Sequence, residues 1–179
     1  MNSLPTVSAM EVTSDRVVLR KAHDADRGGI IELRTDPPVR EYLGGPRPRG
    51  DLERYLDAAG PASVTAGPGS YVIADGTMDR LIGLLVLDRR PAGLPGHVTE
   101  GGGELELSYQ LRRRAWGAGL AFGAATALLR AAAAELPDQP VLVVTQTANQ
   151  RSVKLATRLG FHRVTTFEQF GAEQTLSTA

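Results

Sequence analysis

Gly117 and Gly119, with Ala118 between them, follow a run of three arginines, Arg112, Arg113 and Arg114. The residues before this turn alternate in polarity, and those after it, Leu120 to Glu135, are rich in Ala and Leu. A strand, a basic turn, spaced glycines and a long helix make an anion site. The first N–H groups of a helix lack partners within it, and the helix dipole adds partial positive charge there. Glycines let a ligand reach the main chain without a Cβ in the way. A pyrophosphate would satisfy such donors. A nucleotide P-loop is excluded, because no Lys-Ser/Thr pair follows the glycines. A dinucleotide fingerprint also fails: Gly117-Ala118-Gly119-Leu120-Ala121-Phe122 does not complete it cleanly, and the next strand ends in Thr145-Gln146-Thr147 without an acid.

The elements that must hold this turn are readable from period and punctuation. Glu104 to Leu111 alternates Leu105, Leu107, Tyr109 and Leu111 with Glu104, Glu106, Ser108 and Gln110, which predicts a strand with one apolar face. Leu120 to Glu135 predicts a helix ended by Pro137. Val141 to Thr145 reads as a buried central strand. Asn149 to Leu159 reads as a helix with Asn149 as N-cap and Gly160 past its end. Upstream, a strand over 16–20, a helix over 24–34 capped by Asp24, a short helical turn over 39–43 and a helix from Asp51 to Ala59 are expected. Strands over 70–74 and 80–87 meet at a turn at Asp75-Gly76. Residues 61–69 and 89–103 read as loops, and strands over 161–170 and 173–177 close the chain. The fold class is therefore α/β with a mixed sheet. The domain reading is a flexible segment over residues 1–14 and one domain over 15–179.

Composition narrows the function classes. The 179 residues suit one domain, and 42% are hydrophobic, enough for a core without staples. No cysteine occurs, which removes disulfides and thiolate chemistry. The 20 basic and 20 acidic residues cancel, against a nucleic-acid partner. No apolar run reaches a membrane span and residues 1–13 lack a signal-peptide pattern, so a soluble cytoplasmic protein without membrane partners is expected. His23, His97 and His162 are too scattered to suggest a metal site, and none is expected.

Arg114-Ala115-Trp116-Gly117-Ala118-Gly119 resembles the [RQ]-x-x-G-x-[GA] acyl-CoA loop of the GNAT acetyltransferase superfamily. The strand Glu106-Leu107-Ser108-Tyr109-Gln110-Leu111 precedes it, and Asn149-x-x-Ser152 with Leu159-Gly160-Phe161 looks like the family's later N-x-x-[SA]…LGF segment. The wording is most similar to the RimJ/RimL-like branch, and the likeness spans roughly residues 15 to 178. It implies a GNAT-type sheet flanked by helices, acetyl-CoA as acyl donor without a metal, and direct transfer to a primary amine in a ternary complex. The amine could belong to a protein N-terminus or a small molecule. A homodimer is compatible with this branch. Another donor such as succinyl-CoA, or a non-catalytic acyl-CoA-binding module, is the alternative.

Mapped onto this chain, the resemblance assigns cofactor contacts to Tyr109, Leu111, Arg112, Arg114, Trp116, Gly117, Ala118, Gly119, Leu120, Asn149 and Ser152. Glu106, which matches the glutamate of the family strand's E-L-G-Y pattern, is by resemblance the candidate general base, directly or through water, and partial burial would raise its pKa toward working pH. Glu104, two residues away on the same face, is its competitor. A backbone N–H near Tyr109 to Leu111 would stabilise the developing oxyanion. Many relatives protonate the leaving thiolate with a tyrosine, but counting from Asn149 that position holds Ala156. Ser152 is the substitute, with Tyr109 a weaker choice because its strand parity points it to the core. Trp116 and His97 also have plainer readings, as a packing residue and a surface-loop residue.

Overall fold

The computed structural model describes residues 4–179. Eight strands form one sheet in the spatial order β1-β2-β3-β4-β5-β6-β8-β7. They are β1 (Val12–Thr13), β2 (Val17–Arg20), β3 (Ser70–Asp75), β4 (Leu81–Arg89), β5 (Leu105–Leu111), β6 (Val141–Gln146), β7 (His162–Gln169) and β8 (Ala172–Thr178). Every neighbouring pair is antiparallel except β5 and β6. The helices are α1 (Arg27–Thr35), α2 (Pro37–Arg40), α3 (Arg49–Ala59), α4 (Leu120–Glu135) and α5 (Gln150–Arg158), with 3-10 turns at Asp24–Asp26, Pro61–Thr65 and Arg113–Ala115.

The two sheet faces bury two separate apolar clusters, and β3 shows why. Its side chains alternate: Tyr71 and Ile73 join one cluster, Val72 and Ala74 the other. On the first face lies α4, which buries Ala124, Leu128 and Ala132 at helical spacing together with Ala125. Small side chains there let the helix approach the sheet closely. On the second face α1 contributes Ile30, Ile31 and Leu33, and α3 contributes Leu52 and Leu56. Arg20, buried at the end of β2, pairs with Asp26 and Asp79, each at 2.7 Å. Those pairs tie β2 to the start of α1 and to the β3–β4 turn.

Four local expectations change. The lead-in is packed over its described part: Val7 is 1% exposed, and Val12 and Thr13 pair with Leu19 and Val18. The Tyr71 hydroxyl donates to the Ala9 carbonyl at 2.6 Å. Residues 1–3 of that expectation lie outside the described residues. Isolated apolar residues in a polar stretch show no period, so only the partner surface reveals them. Asp51 is no cap; α3 begins at Arg49 after Pro48, and Asp51 sits in its first turn. Asp24 lies inside a 3-10 turn, where Asp26 Oδ2 accepts from the His23 N–H at 2.9 Å. Residues 61–65 are a 3-10 helix inside the expected loop.

Candidate active site

The parallel pairing of β5 with β6 lasts for two residue pairs, Leu105 with Val141 and Glu106 with Leu142. Beyond it, β5 stays on β4 as far as Leu111, while β6 stays on β8 as far as Gln146. The two strands therefore splay apart, and their facing edges carry main-chain donors and acceptors without a strand partner. Glu106 stands where the splay begins.

At the far end of β5 the chain makes the 3-10 turn Arg113–Ala115 and then the glycine turn. Gly117 has φ 77° and Gly119 φ 75°, the left-handed region that favours glycine. A Cβ built on either glycine meets nothing within 4 Å, so the space above the turn is open. Gly119 is the N-cap of α4, and Leu120 is its first residue. The turn is pinned from behind: Arg16 Nη1 donates to the Ala118 carbonyl at 2.6 Å. Open space, glycine backbone and unpartnered helix N–H groups together fit a pyrophosphate.

The flanking residues divide. Arg114 is exposed beside the turn. Arg112 is buried, its guanidinium donating to the Leu81 carbonyl at 2.9 Å and to the Glu32 carboxylate, so it ties β4 to α1. That engagement opposes a side-chain role of Arg112 in holding phosphate. Trp116 donates from Nε1 to the Leu111 carbonyl at 3.0 Å, and the Arg151 guanidinium stacks 3.7 Å from its ring centre. Leu111 and Trp116 thus brace the turn, and Trp116, half-buried, packs against both apolar clusters.

Glu104, just before β5, and Glu106, within it, have separate fates. Glu104 is 4% exposed and fully engaged. Its Oε1 accepts from the Val98 and Thr99 N–H groups at 2.8 and 2.7 Å, and its Oε2 meets His97 Nδ1 at 2.6 Å. Burial opposes the charge, but His97 and the amides of Glu104, Thr99 and Val98 outweigh it and hold the carboxyl at about 2. Glu104 and His97 therefore order the 89–103 loop. Glu106 lines the main cavity instead, with Oε2 accepting from Arg90 Nη1 at 2.8 Å and Oε1 without a partner in the described chain. The sequence reading expected a partly buried carboxylate and did not foresee its ion pair with Arg90.

Across the splay, Asn149 caps α5 by accepting from the Ser152 N–H at 3.2 Å. Tyr109 leaves the core far enough to reach the same helix start. Its hydroxyl donates to the Ser152 carbonyl and accepts from Ser152 Oγ, both at 3.0 Å. Burial pushes the phenol pKa up, with the Ser152 hydrogen bond opposing. Ala156, the residue at which the resemblance would place an acid tyrosine, is buried in the core. Tyr109 and Ser152 form a pair that strand parity alone could not foresee.

The cavity on the α1–α3 face has a volume of about 570 Å³. Arg34, Arg40, Tyr42, Arg90, Gln110 and Phe170 line it beside Glu106 and Tyr109. The sequence reading missed Arg34, Arg90 and Gln110. The one available signal was for Arg90: a slightly longer β4 places it across from Glu104, to whose carbonyl its N–H donates at 2.9 Å.

A sequence profile of the acetyltransferase (GNAT) domain matches residues 16–162. Solved structures share the fold. A GNAT-family acetyltransferase from Bacillus anthracis aligns at 17% identity and TM-score 0.75, covering 95% of this chain and 98% of its own. An acetyltransferase from Agrobacterium tumefaciens aligns at 21% identity and TM-score 0.71, over 100% and 99%. RimL, a ribosomal L7/L12 α-N-protein acetyltransferase in complex with coenzyme A, aligns at 14% identity and TM-score 0.70, over 94% and 97%. With the profile spanning both the splayed strands and the glycine turn, the chain belongs to the GNAT acetyltransferase family.

Proposed function

We propose that the protein transfers an acetyl group from acetyl-CoA to a primary amine in a ternary complex. The observation that carries this is the β5–β6 splay, with Glu106 at its start and the open Gly117–Gly119 turn at its far end. The N–H groups of the turn and of the first residues of α4 would hold the pyrophosphate, and Arg114 would add charge. The free edge of β5 would hydrogen-bond the donor and present an amide to the thioester oxygen as negative charge develops. The Asn149 side chain keeps its Nδ2 without a partner in the described chain, available to the pantetheine arm.

In the transfer, the amine nitrogen forms a bond to the thioester carbon and its proton passes to Glu106, directly or through water. Arg90 fixes that carboxylate through Oε2, leaving Oε1 for the proton. The C–S bond then breaks, and the thiolate takes a proton from the Tyr109–Ser152 pair. A tyrosine phenol is protonated at neutral pH and so holds a proton to give, though the burial that raises its pKa makes it a weaker acid. With no cysteine in the chain, no thioester on the protein can form. Calorimetric titration with acetyl-CoA, followed by a CoA-release assay over a panel of amines, tests the reading. An absence of acetyl-CoA binding would reject it.

A further inference from the structure

We infer that the acceptor amine carries an anionic group, a carboxylate or a phosphate, which the acceptor cavity takes at Arg34 and Arg40. This deepens, and rests on, the transferase reading above. The whole chain is balanced, with 20 basic and 20 acidic residues. The cavity is not: Arg34, Arg40 and Arg90 line it against one carboxylate, Glu106. Glu106 pairs with Arg90, at 2.8 Å. Arg34 and Arg40 are left with no acidic side chain within 4.0 Å among the described residues. Arg47, joined to α1 by its N–H on the Arg34 carbonyl at 2.9 Å, adds a third uncompensated charge nearby.

Two buried polar atoms of the lining, one a donor and one an acceptor, call for opposite partners. Arg34 Nε and Gln110 Oε1 are both buried and both without a hydrogen-bond partner. A buried donor left unmade is costly, and for a cation the cost is larger. Burial first, then repulsion from Arg47, pushes the Arg34 guanidinium pKa down, with Tyr55 opposing. Arg40 is pushed down by burial and by Arg34 and Arg47, and its guanidinium leans on the Gly45 and Leu43 carbonyls. An anion entering the cavity would relieve both the repulsion and the unmade bond. Gln110, next along the same face of β5 after Glu106 and Ser108, offers an acceptor to the substrate N–H. The recognised molecule thus has a donor end toward Gln110 and Glu106 and an anionic end toward Arg34. The cavity volume, about 570 Å³, is in the range that holds small ligands or a few residues of peptide.

The test is calorimetric binding of C-terminally amidated tetrapeptides with a free N-terminal alanine to the CoA-saturated protein. Members of each set differ in one residue, Asp, Asn or phosphoserine, at the second, third or fourth position, and acetyl transfer to each is measured in parallel. At one position at least, the anionic members should bind about tenfold tighter than the Asn twin or better. The Asp and phosphoserine arms separate carboxylate from phosphate. Arg34→Gln and Arg40→Gln should each shrink that preference while affinity for CoA stays within about twofold; Arg40→Gln and Arg34→Lys serve if Arg34→Gln does not fold. Equal binding of charged and neutral twins at all three positions overturns the inference. So does a loss of CoA affinity in Arg34→Gln equal to its loss of peptide affinity, which would make the arginines a cofactor anchor. Charge-selective binding without acetyl transfer to any peptide would overturn the assignment of that anion to the acceptor amine, while acetyl-CoA titration and the amine panel judge the transferase reading separately.

Discussion

The donor side and the acceptor side of the splay are built in different ways. The donor side comes from two short, continuous stretches, β5 through the start of α4 and β6 through the start of α5. It presents main-chain N–H groups, two glycines and a capped helix start. The acceptor side draws Arg34 from α1, Arg40 from α2, Arg90 from the end of β4, Gln110 from β5 and Phe170 from the β7–β8 turn. Phe170 is 86% exposed with φ 54°, a conformation that bulky residues seldom take. Backbone chemistry can be written in a handful of adjacent residues, whereas a cavity made of side chains from five elements cannot.

The sharpest test of the boundary between the two sides is Glu106, which touches both. Glu106→Gln should lower kcat by about 10²–10⁴ with acetyl-CoA affinity unchanged, measured by steady-state kinetics and calorimetry. Unchanged turnover would remove Glu106 as base and move the chemistry elsewhere. On the donor side, Gly119→Val fills the open space above the turn and also strains a φ of 75° that β-branched residues seldom take. Acetyl-CoA affinity should fall on the order of 100-fold while circular dichroism shows a folded protein. A smaller effect than on peptide binding would erase the distinction between the sides.

Glu104 should behave as a structural residue. Glu104→Gln should destabilise the fold by about 2 kcal/mol in denaturant titration, because it breaks the grip on the 89–103 loop. The folded-state pKa lies at about 2, below the ordinary 4.5. Its stabilisation is therefore complete above about pH 4.5 and disappears as pH falls toward 2. Wild type should lose stability through that window faster than Glu104→Gln, and parallel curves would contradict the assignment. The smallest effect is expected for Tyr109→Phe, about tenfold in kcat with KM for acetyl-CoA unchanged, since solvent can also protonate the thiolate. A rise in KM alone would mark Tyr109 as a positioning residue.

Much of the scaffold was legible in sequence because it obeys local periods. The alternation of 104–111, the apolar run 141–145 and the Ala/Leu stretch 120–135 all appear as β5, β6 and α4. Asn149 read as a cap because capping is decided within four residues. The N-terminal segment was illegible because it is held by distant residues: the Ala9 carbonyl accepts from the Tyr71 hydroxyl, 62 residues further along the chain. Glu104 and Glu106 looked equivalent because period two puts them on one face. Their separation follows from the 89–103 loop folding its amides and His97 onto Glu104 and delivering Arg90 to Glu106.

By itself, the sequence determined the β-turn-α unit around Gly117 and Gly119, since φ preference, helix capping and strand period are local properties of the chain. Tertiary structure alone decided that β5 and β6 part after Glu106, that Tyr109 meets Ser152, and that Arg34 and Arg40 face a cavity without an acid. Those outcomes depend on which distant segments pack together, and pairwise contacts over long sequence separation leave no period to read.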